Sequence, residues 1–408
     1  MDVEESNRLK GFRQLRKEIR SSKEHLIVGI DVGKDKHHAF FGMATGKTLL
    51  RRLIFENSID GFEKLFAYAE AIKVQHALDK VVFGLEPTAN YHKPLAEYLI
   101  KCDHSVVLVS GVAVSKNREL LDGRWDKNDD KDSANVADLI SQGKCLYYDY
   151  PSMPIRDLRS LLSLKRRFKK QEHGTKVRIR NHLLAQYFPE FDRYFGKGSS
   201  ESLSVVKWCL KPSKIAGMEY DEFVHLVAPR VKTIGQEKRL KKIWDLAIGS
   251  IGCEAGDALD FEAKLMVEDL QQIKDSTRAI DDHIKEICLG FPEYSYLLTI
   301  PGFGPDVSSK VLGAIGNPFR FDNGKQVLKL LGYDLGAYRS GKTSDSAVPV
   351  ISKRGKAYLR YALYQAAFIA STSNRHFIIY YTNKLRGRER EKGIKTKMKV
   401  KLAAKMLI

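Results

Sequence analysis

Four acids are spaced so that a fold could gather them around a metal ion. Asp31 closes the apolar run Leu26-Ile27-Val28-Gly29-Ile30, and Glu86 closes a second run, Val81-Val82-Phe83-Gly84-Leu85. Asp129 and Asp132 stand three apart in Lys127-Asn128-Asp129-Asp130-Lys131-Asp132, a spacing that puts two carboxylates on one face of a helix. Hard cations take carboxylate oxygens, and phosphodiester cleavage needs charge stabilised on both the attacking and the leaving oxygen. The set therefore points to Mg²⁺, with Mn²⁺ as a substitute, and to chemistry on a phosphodiester. Taken singly, each acid has a plainer explanation as a cap at a strand end or helix start. Asp35, in the Gly33-Lys34-Asp35-Lys36 turn, and Asp126 and Asp130 are competing candidates, although Asp130 is out of phase with the 129/132 pair.

A second constellation lies far downstream. Gly336-Ala337-Tyr338-Arg339-Ser340-Gly341-Lys342-Thr343 matches the P-loop pattern formally. A P-loop needs a buried strand before it and a helix directly after it. Here Leu328–Leu331 reads as the end of a helix, and Ser344 to Pro349 cannot start one cleanly. The segment reads better as a loop in which Arg339 and Lys342 favour a bound phosphate and the alkoxide of a nearby serine. By chemistry alone Ser340, Ser344 and Ser346 are equally available. Gly29-Ile30-Asp31-Val32-Gly33 also resembles the opening of actin-like ATPases, but no second Gly-rich phosphate loop follows. His37 and His38 point to opposite faces of a strand and imply no zinc.

The balance of charge names the partner class. The chain has 408 residues, 43% hydrophobic and 29% charged, with a formal net charge of +19. The positive charge is clustered, which favours a polyanion partner. Between 156 and 181 it holds ten cations: Arg156, Arg159, Lys165, Arg166, Arg167, Lys169, Lys170, Lys176, Arg178 and Arg180. A second run of ten spans Lys384 to Lys405. The five cysteines are scattered and none has CxxC spacing, so neither a zinc site nor a disulfide framework is expected, which fits a reducing cytoplasm. No apolar stretch reaches transmembrane length, and the N-terminus is not a signal peptide.

These residues need elements to position them. Residues 1–24 read as a polar, basic N-terminal arm, helical or loose, and 25–150 alternate short apolar strands with helical stretches, an α/β domain. Pro151 and Pro154 mark a boundary. A long basic helical region follows, 155–187, then a stretch from 189 to 255 with few signals. From 259 to 287, Leu259, Ala263, Met266, Leu270, Ile273, Thr277, Ile280, Ile284 and Ile287 alternate spacings of four and three. That is a heptad seam, which predicts a coiled coil with the basic helix or with another subunit. From 293 to 408 a mainly α domain opens on Pro301-Gly302-Phe303-Gly304, helix-hairpin-helix-like, where Gly302 and Gly304 could let backbone amides approach a phosphate. The sequence stops within a helical pattern, which predicts further chain beyond it.

The order of these motifs resembles a known family. The N-terminal Gly29-Ile30-Asp31-Val32-Gly33-Lys34, Leu85-Glu86-Pro87-Thr88, the Lys-x-Asp-x-x-Asp segment at 127–132, Pro301-Gly302-Phe303-Gly304-Pro305, Tyr338-Arg339-Ser340-Gly341 and Ile351-Ser352-Lys353-Arg354-Gly355-Lys356 are similar to the DEDD-type insertion-sequence transposases, relatives of the Piv invertase. The likeness covers about 25–190 and 259–405. It implies a RuvC-like (RNase H) domain at 25–150 that holds Mg²⁺ on Asp31, Glu86, Asp129 and Asp132. It further implies a basic helix, insertion and coiled coil at 151–292, and a serine transposase domain at 293–408 with Ser340 as nucleophile. It implies target and donor DNA and a structured non-coding bridge RNA as partners, contacted by the basic stretches and by Lys353 and Arg354. It also implies a homo-dimer or homo-tetramer through the coiled coil, no membrane, and a prokaryotic cytoplasm. Asn128 stands where the family has Thr, Ser133 where it has Ala, and 196–255 is longer than a minimal connector. A RuvC-like nuclease or junction resolvase using water as nucleophile, and a non-catalytic nucleic-acid-binding protein, are the rival readings.

Overall fold

The structure is a computed structural model that describes residues 3–122, 129–196, 199–230, 233–336 and 350–408; the side chains of residues 3–4, 120–122, 129 and 130 lie outside the description. The chain splits into two compact units, 1–152 and 153–408.

The first unit is a six-stranded mixed sheet between two helical layers. Strands β1 (His25–Val32), β2 (Lys36–Met43), β3 (Thr48–Glu56), β4 (Lys80–Leu85), β5 (Ser105–Leu108) and β6 (Leu146–Tyr147) lie in the order β3-β2-β1-β4-β5-β6. β1 pairs antiparallel with β2 and parallel with β4, and β4 pairs parallel with β5. The arrangement is compatible with a RuvC-like fold.

Strand side chains alternate between faces, and here the alternation separates two cores. Leu26, Val28, Ile30, Phe83 and Leu85 pack under α2 (Ile59–Gln75) and α3 (His92–Lys101). Ile27, Val82 and Val107 face the opposite layer of α1 (Val3–Glu18), α4 (Gly111–Asp122) and α5 (Asp129–Ser141). Of the helical and loose alternatives for the N-terminal arm, the structure has the helix, docked on this unit. Its Leu15 is buried, and Arg8 donates to the carbonyls of Tyr148 (2.8 Å) and Tyr150 (3.1 Å).

The second unit is helical. The basic helix α6 (Met153–Arg178) passes into a π-helical turn, Ile179–Leu184, and α7 (Ala185–Tyr187). The stretch without clear signals folds as α8 (Asp192–Phe195), α9 (Ser200–Trp208), α10 (Pro212–Ala216), α11 (Tyr220–Val227) and α12 (Ile234–Ile248). With the first half of α13 (Asp257–Leu289) these helices enclose a core rich in aromatics, including Phe188, Phe191, Phe195 and Phe223.

The heptad seam is used within the chain. Ile280, Ile284 and Cys288 of α13 meet Ile155, Leu158 and Leu162 of α6. The buried stripe keeps Leu259, Ala263, Leu270, Thr277, Ile280 and Ile284 of the expected seam, with Val267 buried in place of Met266 and Cys288 in place of Ile287.

The chain closes with α14 (Pro292–Leu298), α15 (Pro305–Ile315), α16 (Gly324–Leu331), β7 (Leu335–Gly336), β8 (Val350–Ile351), α17 (Ala357–Ser373), α18 (Arg375–Leu385) and α19 (Ile394–Leu407). No helix among the described residues is long and apolar enough to cross a membrane.

Candidate active site and nucleic-acid surface

Two of the four acids leave the sheet side by side. Ile30 and Leu85 are register partners in the parallel β1–β4 pair. The amide of Glu86 donates to the carbonyl of Ile30 at 3.4 Å, carrying the register one step past the strand end. Asp31 is on the same face as Ile27 and Gly29, and Glu86 on the same face as Val82 and Gly84. Both carboxylates therefore sit on the α5 side, half-buried. Neighbouring strands are about 4.8 Å apart and Mg²⁺–oxygen distances are about 2.0–2.1 Å, so one cation can be shared by carboxylates at these positions. Room is kept for them: a Cβ on Gly111 would come within 2.7 Å of Glu86 Oε1.

Glycines also decide where α5 sits. A Cβ on Gly29 would lie 2.2 Å from the Ser133 carbonyl oxygen and 2.5 Å from the Ala137 amide. A Cβ on Gly84 would lie 2.0 Å from Ile140 Cδ1. α5 thus rests mainly on β1 and β2, and reaches β4 through Ile140. Asp132 immediately precedes the Ser133–Gly29 contact, and Asp129 is the first residue of the helix.

Asp132 is 2% exposed and paired with Arg118 of α4, which reaches one carboxylate oxygen through Nε (2.9 Å) and Nη2 (2.5 Å). Beside this pair, Asn117 donates to Asn135 and Asp138, tying α4 to α5. Among the described residues no three His, Cys, Asp or Glu side chains converge as a metal-binding group. Asp35, the competing acid, is exposed in its turn, and Asp126 lies outside the described residues.

The downstream loop has a defined base. Leu335 pairs with Ile351 and Gly336 with Val350, antiparallel. Below that stem Ser352 Oγ donates to Asp334 Oδ1 at 2.6 Å. Gly332 ends α16 at φ +71°, where a Cβ would also come within 2.7 Å of the Arg354 amide. Lys353 and Arg354 are exposed beside it. The exposed two-residue β7 is not the buried strand that a P-loop requires. Arg339, Ser340 and Lys342 lie outside the described residues.

The ten cations of 156–181 divide into two groups. Arg166, Arg167, Lys169, Lys170, Arg178 and Arg180 are exposed, whereas Arg156, Arg159, Lys165 and Lys176 are half-buried. Several have structural partners. Lys165 bridges Asp281 (2.7 Å) and Asp306 (2.6 Å), and Arg180 forms a two-pronged pair with Asp192 (2.6 and 2.7 Å). Glu172 is pulled down to about 2: burial opposes its ionisation, but hydrogen bonds from Lys169 and Lys176 outweigh it. Gly302, at φ +89°, is committed to packing, since a Cβ there would meet the Ala366 carbonyl at 2.4 Å. Gly304 is exposed with open space around it.

The first unit also carries an acid sensitivity. Burial pushes the pKa values of His25, His37, His92 and His104 below the ordinary value of 6.5. His37 is fully buried against Phe55 and Phe62. Below about pH 6.5 the unfolded chain takes protons that the folded unit resists, so stability falls as pH drops towards the folded values, by about 1.4 kcal/mol per unit of pKa depression. Amide-exchange protection of β1 and β2 is expected to drop between about pH 7.5 and 5 while that of α17 and α19 holds. His37→Phe should flatten part of that slope; equal loss in both units would contradict it.

Comparison with known proteins places this arrangement. A family model for DEDD transposases of the IS110 type matches residues 28–189, and a second, described as the transposase IS116/IS110/IS902 family, matches residues 294–382. A Streptomyces coelicolor protein described as "Insertion element IS110 uncharacterized 43.6 kDa protein" is 21% identical over 366 residues, 87% of this chain and 86% of its own. The first model spans all four spaced acids, the second spans the stemmed loop, and the relative aligns along nearly the whole of both chains: this protein belongs to the IS110 family of DEDD transposases, enzymes that act on DNA.

Proposed function

We propose that the first unit is a RuvC-like domain holding Mg²⁺, with Mn²⁺ as a substitute, on Asp31, Glu86, Asp129 and Asp132. Ser340 is the nucleophile of strand exchange. The observation that carries this reading is the placement of Asp31 and Glu86 at adjacent carboxyl ends of parallel strands, under a helix that begins with Asp129. When bound, the metal would polarise the phosphodiester and stabilise charge on the leaving oxygen.

The chain's own part is positional. Gly111 keeps the Glu86 carboxylate uncrowded. Arg118 holds Asp132 in place and neutral in sum until a cation competes for it. Serine chemistry then follows a balanced exchange. The Ser340 oxygen bonds to phosphorus as the bond to the sugar oxygen breaks. The serine proton leaves, and the sugar oxygen is free to gain one. A sugar hydroxyl of the incoming strand reverses the step.

A structured non-coding RNA that pairs with target and donor DNA is the guide in this reading, and the exposed cations of α6 and of 384–405 contact its phosphates. A homo-dimer or homo-tetramer would bring the acids of one subunit to the serine of another. The α13 stripe that meets α6 is already covered, so such an assembly would use other surfaces.

Ser340→Ala tests the nucleophile. The variant is expected to lose the covalent protein–DNA adduct seen on denaturing gels, with residual exchange lowered by on the order of 10³-fold or more. An undiminished adduct would move the role to Ser344 or Ser346. Cleavage that persists with no adduct in the wild-type protein would instead establish water as nucleophile, as in a junction resolvase.

A further inference from the structure

In the second unit, α6, α15 and α17 leave a groove between them. Gly313 lets α15 ride directly on α6, where a Cβ would approach Leu162 Cδ1 to 2.8 Å. The groove encloses about 190 Å³ and combines an apolar wall, Leu162, Tyr358 and Tyr361, with the cations Arg166, Lys169 and Lys310.

Its charges are unequally matched. Asp306 is shared between Lys310 (2.5 Å) and Lys165 (2.6 Å), and Glu172 between Lys169 (2.8 Å) and Lys176 (2.7 Å). Arg166 is different. Its guanidinium lies over the Tyr358 ring, 4.9 Å from the centroid, and its hydrogen bond is a long one to Ser163 Oγ (3.4 Å). Among the described residues it is ion-paired with no carboxylate. Cations thus outnumber anions, and one planar cation is held ready by a ring. Tyr361 is one turn along α17 from Tyr358 and shares its face. Its side chain is 63% exposed although the groove beside it is apolar.

An exposed aromatic face next to unbalanced positive charge suits a ligand that is flat on one side and anionic on the other. A carboxylate-bearing peptide would use the cations and leave the ring idle. A base inside a duplex has no free face to offer. We propose that this groove holds one unpaired nucleotide, its base stacked on Tyr361 and its phosphate on Arg166. The site is a stacking station for single-stranded nucleic acid. It rests on the reading of the exposed side of α6 as a nucleic-acid surface and sharpens it.

Fluorescence of 2-aminopurine in single-stranded oligonucleotides, bound to the full-length protein, tests it. RNA and DNA versions tell the two sources apart, and a blunt DNA duplex serves as reference. Tyr361→Ala is expected to weaken single-strand binding about tenfold, to abolish the quench, and to change duplex affinity by no more than about twofold. Tyr361→Phe should restore both the quench and the affinity. A double variant, Arg167→Ala with Lys170→Ala, reports on the basic face outside the groove. If it loses affinity while Tyr361→Ala binds and quenches like wild type, the groove proposal is wrong and the basic-face reading stands. If neither variant changes anything, both are wrong. Tighter binding of a polyglutamate peptide than of the oligonucleotides would assign the groove to an acidic protein and overturn the proposal.

Discussion

Asp31→Asn is expected to lower metal-dependent DNA strand cleavage by on the order of 10³-fold, since losing several kcal/mol of transition-state charge stabilisation costs a factor of ten per 1.36 kcal/mol. The substitution keeps the size and shape of the side chain. The backbone pairing of β1 with β2 and β4 does not depend on that carboxylate, so the fold should persist. What changes is one negative charge among carboxylates that face the same side of the sheet, and with it the affinity for a hard cation. Mn²⁺ binding followed by electron paramagnetic resonance should weaken in parallel with cleavage, while thermal unfolding stays close to wild type. Asp35→Asn is the control, because Asp35 is exposed in its turn. Full cleavage by the Asp31 variant, or equal loss in the Asp35 control, would remove Asp31 from the site.

Gly29→Ala should damage the same site by a different route. The new Cβ would lie 2.2 Å from the Ser133 carbonyl oxygen and 2.5 Å from the Ala137 amide. Both are backbone atoms, so no rotamer change relieves the contact, and α5 must back away by roughly 1.2 Å or more to reach ordinary van der Waals distance. Overpacking of this kind costs about 1–3 kcal/mol in stability. The displaced helix carries Asp129 and Asp132 with it, and a shift of about 1 Å at a catalytic group can cost about 10²-fold in rate. Gly84→Ala makes the informative comparison. Its clash is with Ile140 Cδ1 at 2.0 Å, the far end of a side chain that can turn aside. We expect Gly84→Ala to be clearly milder in unfolding and cleavage measurements. Equal effects would mean that α5 is not fixed by its contact with β1.

Much of the first unit is legible in its residues. The runs at 26–30 and 81–85 are strands because they are apolar, β-branched and bounded by turn residues. His37 and His38 fall on opposite faces, one buried and one half-buried. Gly29 and Gly84 stand inside apolar strands, where glycine allows close approach of another element, yet nothing local says which helix approaches. Arg118 gave no signal at all. It lies in a stretch without strong periodicity, and it matters only because α4 lies beside α5. The 189–255 stretch was opaque for a related reason. Most of its helices are short, and what holds them is apolar packing between segments distant in sequence.

By itself, the sequence determined which residue types are available for chemistry and their order along the chain. Carboxylates at strand ends, a helical acid pair, a cationic helix and a Ser/Arg/Lys loop are properties of residue type and spacing, and these survive any arrangement of the elements. The tertiary structure alone decided which of them meet. The parallel pairing of β1 with β4 sets Asp31 beside Glu86. Glycine contacts seat α5 over that strand end, and apolar packing turns the second half of the expected heptad seam inward on α6. The reason is physical: local pattern fixes what each element can bury, but which partner it buries against depends on the shape of surfaces that form only when the whole chain has packed.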